Sequence, residues 1–177
     1  MFLHRRRKAS GMSIYFDRLD GEHEKPVDVE ATWRISGYGL LENEKGEWLM
    51  VRSAWTKRLD LPGGGVDADE SLFEGIKREV FEETGFRVEV EGGPLYLSEE
   101  NYYDDKKNLF HHAMIIIYRV KLADGGHDPR VVNTTEGYEI ESQMWVDPST
   151  LTKDGVQPIF WPFVEQVRTK QGTGTSV

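Results

Sequence analysis

The stretch Gly64 to Phe86, GGVDADESLFEGIKREVFEETGF, constrains this chain more than any other. The glycine-rich segment before and within it, Leu61-Pro62-Gly63-Gly64-Gly65, predicts a sharp turn where the backbone can come close to a ligand. A helix is expected next, over Ser71 to Glu83, with Asp67 or Asp69 as N-cap, Glu70 adding charge to the positive first turn and Gly85 as the left-handed stop. At about 100° per residue, Glu79, Glu82 and Glu83 share one face, while Phe73, Ile76 and Val80 form a neighbouring apolar stripe. Arg78 lies four residues after Glu74, four before Glu82 and eight after Glu70, so its guanidinium can brace a carboxylate from either side.

Three like charges on one helix edge repel by a few tenths of a kcal/mol per pair, a local cost unless a cation sits among them. Hard divalent ions such as Mg²⁺ or Mn²⁺ prefer oxygen ligands and share them with substrate phosphates. An ordinary solvated acidic helix would account for the charge but not for the spacing.

That spacing resembles the Nudix box: Gly64, five residues, Glu70, seven residues, then Arg78-Glu79, Val80, Phe81, Glu82-Glu83, Thr84, Gly85 and Phe86, with every specified position filled. The resemblance implies an α/β (α+β) protein with the Nudix-type α/β/α sandwich and a mixed β-sheet. It also implies a Mg²⁺-dependent hydrolase of a diphosphate linked to another moiety, with Mn²⁺ as a substitute. By position, Glu79, Glu82, Glu83 and the backbone carbonyl of Gly64 would be metal ligands. Arg78 and Glu70 would be the supporting ion pair, and Gly85 would close the helix. The general base varies in position in this family; Glu79 and Glu139 are the candidates, with Glu136 and Glu141 beside Glu139 before the last strand, and Glu99 and Glu100 ahead of the tyrosines, as other carboxylates outside the motif.

Composition agrees. A chain of 177 residues suits one domain with a substantial core. A net charge of −9 argues against a nucleic-acid duplex as partner, since phosphate binding on that scale wants a basic face. With no cysteine there are no disulfides, thiolate metal sites or cysteine nucleophiles, which fits a reducing cytoplasm and disfavours an isopentenyl diphosphate isomerase. No apolar run approaches the ~20 residues of a membrane span, and the basic start Met1 to Lys8 is followed by polar residues rather than the apolar core of a signal peptide. The expected partner is a small nucleoside diphosphate derivative: a nucleotide sugar, ADP-ribose, a dinucleotide or a (d)NTP. A homodimer stays open. The competing reading is a Nudix-like module that binds a nucleotide without turning it over.

In chain order, residues 1–30 form an N-terminal extension, its basic start a solvated tail, Ile14 to Leu19 an edge strand and Asp20 to Glu30 an acidic loop. The domain proper spans 31–170. Thr32 to Leu41 and Trp48 to Arg52 are strands joined as a hairpin, followed by Ser53 to Asp60, where Trp55 and Arg58, with Arg52 before them, could stack on a base and pair with phosphates. Phe86 to Glu91 and Leu95 to Leu97 are strands, and Glu99 to Lys107 a polar loop offering Tyr103 as a substrate contact. Leu109 to Leu122 is the strongest strand, its unbroken apolar centre implying burial on both faces, with His111 and His112 solvated at its entry. After a loop, Glu139 to Val146 is a strand, Asp147 to Thr150 a short helical turn and Ile159 to Lys170 a helix that Pro162 starts late or bends. Residues 171–177 are a polar tail.

Overall fold

The structure is a computed structural model that describes residues 13–132 and 140–172. Alternation in Thr32–Leu41 (β3) decides its architecture. Leu40 joins one buried cluster and Leu41 the other. The neighbouring strand Leu109–His127 (β8) runs parallel to β3 over ten register pairs, from Thr32↔His111 to Leu41↔Val120. Ala113, Ile115 and Ile117 of β8 join the first cluster, whereas Tyr118 and Val120 turn to the second. The expected burial of β8 on both faces is therefore realised.

Around this pair the larger sheet has six strands. In addition to β3 and β8 it contains β1 (Ile14–Phe16), β2 (Glu22–Glu24), β6 (Gly63–Gly65) and β7 (Phe86–Asp104), in the order β2-β1-β7-β8-β3-β6. A smaller sheet, β5-β4-β9, is formed by β4 (Trp48–Ser53), β5 (Leu59–Asp60) and β9 (Ile140–Val146). The expected β3–β4 hairpin is corrected by this division. The two strands meet at one antiparallel bridge, Glu42↔Trp48, and then part into different sheets. Glycine allows the next correction: Gly63 to Gly65 is not a free turn but pairs with Tyr38, Gly37 and Ser36 as an edge strand.

Helix α1 (Leu72–Thr84) covers one face with Leu72, Ile76 and Val80, packed with Leu41, Leu49, Val88 and Val120. Side chains of this size contribute about 1.5–3 kcal/mol each when fully buried. The apolar stripe is Leu72/Ile76/Val80, an i, i+4, i+8 row, and not the Phe73 row expected; Phe73 is 45 % exposed, with its ring edge on Tyr118. The helix can lie this close because β3 carries Gly37 and Gly39 beneath it. A Cβ on Gly37 would stand 2.6 Å from Ile76, and one on Gly39 would stand 2.8 Å from Val80.

Helix α2 (Trp161–Gly172) covers the other face, where Phe163, Val164 and Val167 join Leu40, Trp48, Met50 and Ile117. The Trp48 and Phe163 rings stack at 5.5 Å. The fold is thus the mixed α+β layering expected. No helix among the described residues is long and apolar enough to cross a membrane.

Two further boundaries differ from expectation. β7 continues through bulges near Pro94 to Asp104, so the supposed tyrosine loop is strand, paired with β8 as far as Asp104↔Leu109. β1 is not an edge strand. It pairs with β7 at Phe16↔Tyr102 and with β2, which takes the edge and occupies part of the expected acidic loop.

Candidate active site

The acidic end of α1 is held by its own sequence. Ser71, not Asp67 or Asp69, is the N-cap: its hydroxyl accepts from the Glu74 amide (3.3 Å) while Glu74 accepts from the Ser71 amide (2.8 Å). Gly85 closes the helix at φ 73°, as expected. Between these caps Arg78 organises the carboxylates. Its Nε and Nη2 grip Glu70 at 3.0 and 2.7 Å, Nη1 donates to Glu79 (2.9 Å) and Glu82 (3.1 Å), and Nη2 also reaches the Gly65 carbonyl (3.2 Å). This bidentate grip pulls the Glu70 carboxyl down to about 2, and the same carboxylates raise Arg78 further above its ordinary range.

Glu79 lies against β6. A Cβ on Gly64 would stand 2.9 Å from its carboxyl carbon. Glu83 accepts from the Gly63 amide at 2.9 Å. Among the described residues no three Asp, Glu or His side chains converge as a closed metal centre. The donor set nevertheless fits a hard cation: Glu79, Glu82 and Glu83 offer only oxygen, along one helix edge beside the Gly64 backbone.

Glu83, Gly63 and Gly64 also border a cleft of ≈ 220 Å³. Its walls come from distant parts of the chain. Arg34, Ser36 and Tyr38 alternate along β3; Glu100 and Tyr102 come from β7; Trp55 comes from the turn between β4 and β5, and Asp60 from β5. Residues 16–20, ahead of the domain, supply Arg18, which donates to the Tyr102 hydroxyl at 3.2 Å. Burial pushes the Asp60 carboxyl up to about 8, against the opposing pull of Gln157 and of Arg18 and Arg58. Gln157 is fixed in turn by donating to Thr56 Oγ1 at 2.6 Å. Burial likewise raises Tyr38 above its ordinary value.

The structure brings some of the expected residues to this cleft and leaves others aside. Trp55 lines it, 52 % exposed, with Lys106 Nζ 4.4 Å above its ring. Arg52 instead donates to the Lys57 carbonyl (2.6 Å), and Arg58 to Asp20 (3.1 Å). Tyr103 faces away, bonded to Asn108 (2.6 Å) and packed on His23. Strand alternation gives the inward place to Tyr102. Of the other carboxylates considered as base, Glu100 borders the cleft, Glu99 meets His112 (3.1 Å) and Glu141 meets Lys57 (3.2 Å). Glu136 and Glu139 lie outside the described residues. His111, expected at the surface, is buried on the inward face, its Nδ1 on Thr32 (2.8 Å) and its pKa lowered by burial.

Comparison with known proteins now decides the family. The family model described as NUDIX domain matches residues 32–167. This chain belongs to the Nudix hydrolase family. Its Nudix domain is 44 % identical over 57 residues to a "MutT-like protein" of Streptomyces ambofaciens, across 32 % of this chain and 37 % of that protein. It is 28 % identical over 112 residues to the "Putative 8-oxo-dGTP diphosphatase" of Bacillus subtilis (strain 168), across 63 % of this chain and 65 % of that protein. The chain thus spans less than two thirds of the length of either relative. Among solved Nudix-type structures, a MutT protein from Methanosarcina mazei Go1 superposes with a TM-score of 0.58 at 27 % identity, covering 81 % of this chain and 99 % of that one.

Proposed function

We propose that this Nudix protein hydrolyses the diphosphate linkage of a small nucleoside diphosphate derivative, with Mg²⁺ or Mn²⁺ held by Glu79, Glu82, Glu83 and the Gly64 carbonyl. One observation carries the reading: the carboxylate end of α1 opens, through Glu83 and Gly64, on the same cleft as Trp55, Tyr38 and Tyr102. A diphosphate is a compact polyanion and a nucleoside a flat, partly apolar body, and this cleft places acidic cation ligands beside aromatic surface.

When bound, a divalent ion would neutralise phosphate oxygens and ease deprotonation of a water. The chain's own residues do the rest. Arg78 keeps Glu79 and Glu82 in register through contacts that a cation can take over. Gly64, lacking a side chain, leaves room for Glu79 beside β6. Glu100 or Glu79 accepts the proton of the attacking water, and Trp55 offers a face for the base. The name of the Bacillus subtilis relative supports a purine nucleotide among the substrates to test first.

The test is a screen of nucleotide sugars, ADP-ribose, dinucleoside polyphosphates and (d)NTPs, including 8-oxo-dGTP, with Mg²⁺ or Mn²⁺ and products identified by mass. Metal-dependent release of a nucleoside monophosphate or pyrophosphate is the expected result. Saturable binding of these compounds without release would favour the non-hydrolytic binding module instead.

A further inference from the structure

Two arginines meet at Gly65, and their surroundings are opposite. Arg78 distributes its guanidinium over Glu70, Glu79, Glu82 and the Gly65 carbonyl. Arg34 reaches the same glycine from β3. Its Nη2 lies 2.8 Å and its Cζ 3.1 Å from where a Cβ on Gly65 would stand, so the guanidinium occupies space that only a glycine leaves open. It is half-buried, yet it makes no hydrogen bond or ion pair with any carboxylate, carbonyl or hydroxyl among the described residues.

No other half-buried arginine among them is in that position. Arg18 has Tyr102, Arg52 the Lys57 carbonyl, Arg58 Asp20, Arg119 Glu42, Arg130 Asp128 and Arg168 the carbonyls of Pro148, Ser149 and Leu151, while Arg87, over the Phe81 ring, is exposed. The exception leaves a half-buried charge without a counter-charge of its own. It occurs in a chain of net charge −9, where acids are plentiful. Arg34 also borders the cleft, in line with Ser36 and Tyr38 and together with Gly64 and Glu83. The missing partner is therefore an anion that enters from solvent, and a planar fork of N–H donors suits a phosphate best.

We propose that Arg34 is the phosphate anchor of the cleft, receiving a phosphate of the diphosphate substrate while the carboxylates of α1 serve the cation; the assignment rests on the hydrolase reading above. The arrangement separates the two electrostatic tasks. Arg78 neutralises the protein's own acids, and Arg34 stays available for the ligand's.

The experiment compares wild type with Arg34→Gln, Arg34→Lys and Gly65→Ala, by thermal melting with Mg²⁺ and the uncleavable adenosine 5′-(α,β-methylene)diphosphate, and by steady-state kinetics on whichever derivative is turned over. Without ligand, Arg34→Gln should melt at or above the wild-type temperature, because it removes an uncompensated charge. Its ligand-induced shift should vanish, with KM raised about 10- to 100-fold, the loss of a charge-assisted bidentate contact. Arg34→Lys should recover part of the affinity. Gly65→Ala, which puts a methyl where the guanidinium lies, should raise KM in the same direction. A variant Arg34→Gln that melts several degrees lower without ligand, or that keeps the full ligand-induced shift, overturns the anchor. The two readings fail separately: an Arg34-dependent shift with no cleavage of any derivative sinks the hydrolase reading alone, whereas cleavage with unchanged KM in Arg34→Gln sinks the anchor alone.

Discussion

The α1 edge and the Asp60 wall border one cleft and handle charge in opposite ways. On the α1 edge the acids are paired with a cation: Arg78 binds Glu70, Glu79 and Glu82, and its grip holds Glu70 down at about 2. At Asp60 the charge is suppressed, since burial lifts the carboxyl up to about 8, and its neighbours Tyr38 and Gln157 are neutral. The difference teaches how each part is encoded. The first is written within sixteen consecutive residues, Glu70 to Gly85. The second is assembled from β3, β5, β7 and the segment before α2, and exists only once they have met.

Substitutions can break or sharpen that contrast. The largest effect is expected on the α1 edge: Glu82→Gln or Glu83→Gln should lower kcat by about 10²- to 10³-fold, as expected for several kcal/mol of transition-state charge stabilisation, with the melting temperature nearly unchanged. Turnover unchanged from wild type in both variants, measured under saturating Mg²⁺, would erase the distinction between the two regions. Arg78→Ala should act on activity and stability together. Its side chain is 30 % exposed, so the loss in chemical denaturation is expected at about 1–2 kcal/mol. At the nucleoside side, Trp55→Ala should raise KM about 5- to 100-fold if its ring carries a base, and leave kcat within a factor of a few.

A separate effect is expected in pH dependence. The Asp60 pKa in the folded protein, about 8, lies above the ordinary 3.8, so the native state holds that proton more tightly than the unfolded chain. Its favourable contribution is therefore complete below about pH 4 and is lost as pH rises towards 8. Glu70, depressed from 4.5 to about 2, has the opposite sign: its contribution is present above about pH 4.5 and lost as pH falls through 2. Denaturation measured from pH 5 to 9 should show a decline in wild type that Asp60→Asn flattens. A wild-type profile already flat over that range would show Asp60 to be ionised throughout it, as Glu70 is.

These two regions were unequally legible in the amino-acid sequence. Gly85 as stop, the face shared by Glu79, Glu82 and Glu83, and Arg78 as brace are matters of helical spacing, which is local. The Ser71 cap is local too, written as Ser71-Leu72-Phe73-Glu74, a serine followed three residues on by a glutamate, although Asp67 and Asp69 offer competing caps just before it. Tyr102 and Tyr103 are not distinguished by a segment that reads as a polar loop, and their inward and outward parity depends on bulges in β7 that shift the count between Glu91 and Tyr96. Asp60 reads as a loop acid until the 155–157 segment clamps β5 through Leu59 N–Gly155 O and Gln157 N–Leu59 O, at 2.8 and 2.9 Å. Arg34 had a weak signal, its alternation with Ser36 and Tyr38 opposite Gly37 and Gly39, which sheet pairing alone makes decisive.

The hairpin of β1 and β2 lies ahead of the matched domain at 32–167, yet it brings Arg18 and Asp20 to the cleft. It is fastened to the larger sheet by β7, at Phe16↔Tyr102, and none of its contacts described above reaches α1. On the proposed hydrolase reading, lengthening, recharging or replacing this short flap would change which molecules are admitted while leaving the carboxylate edge of α1 as it is.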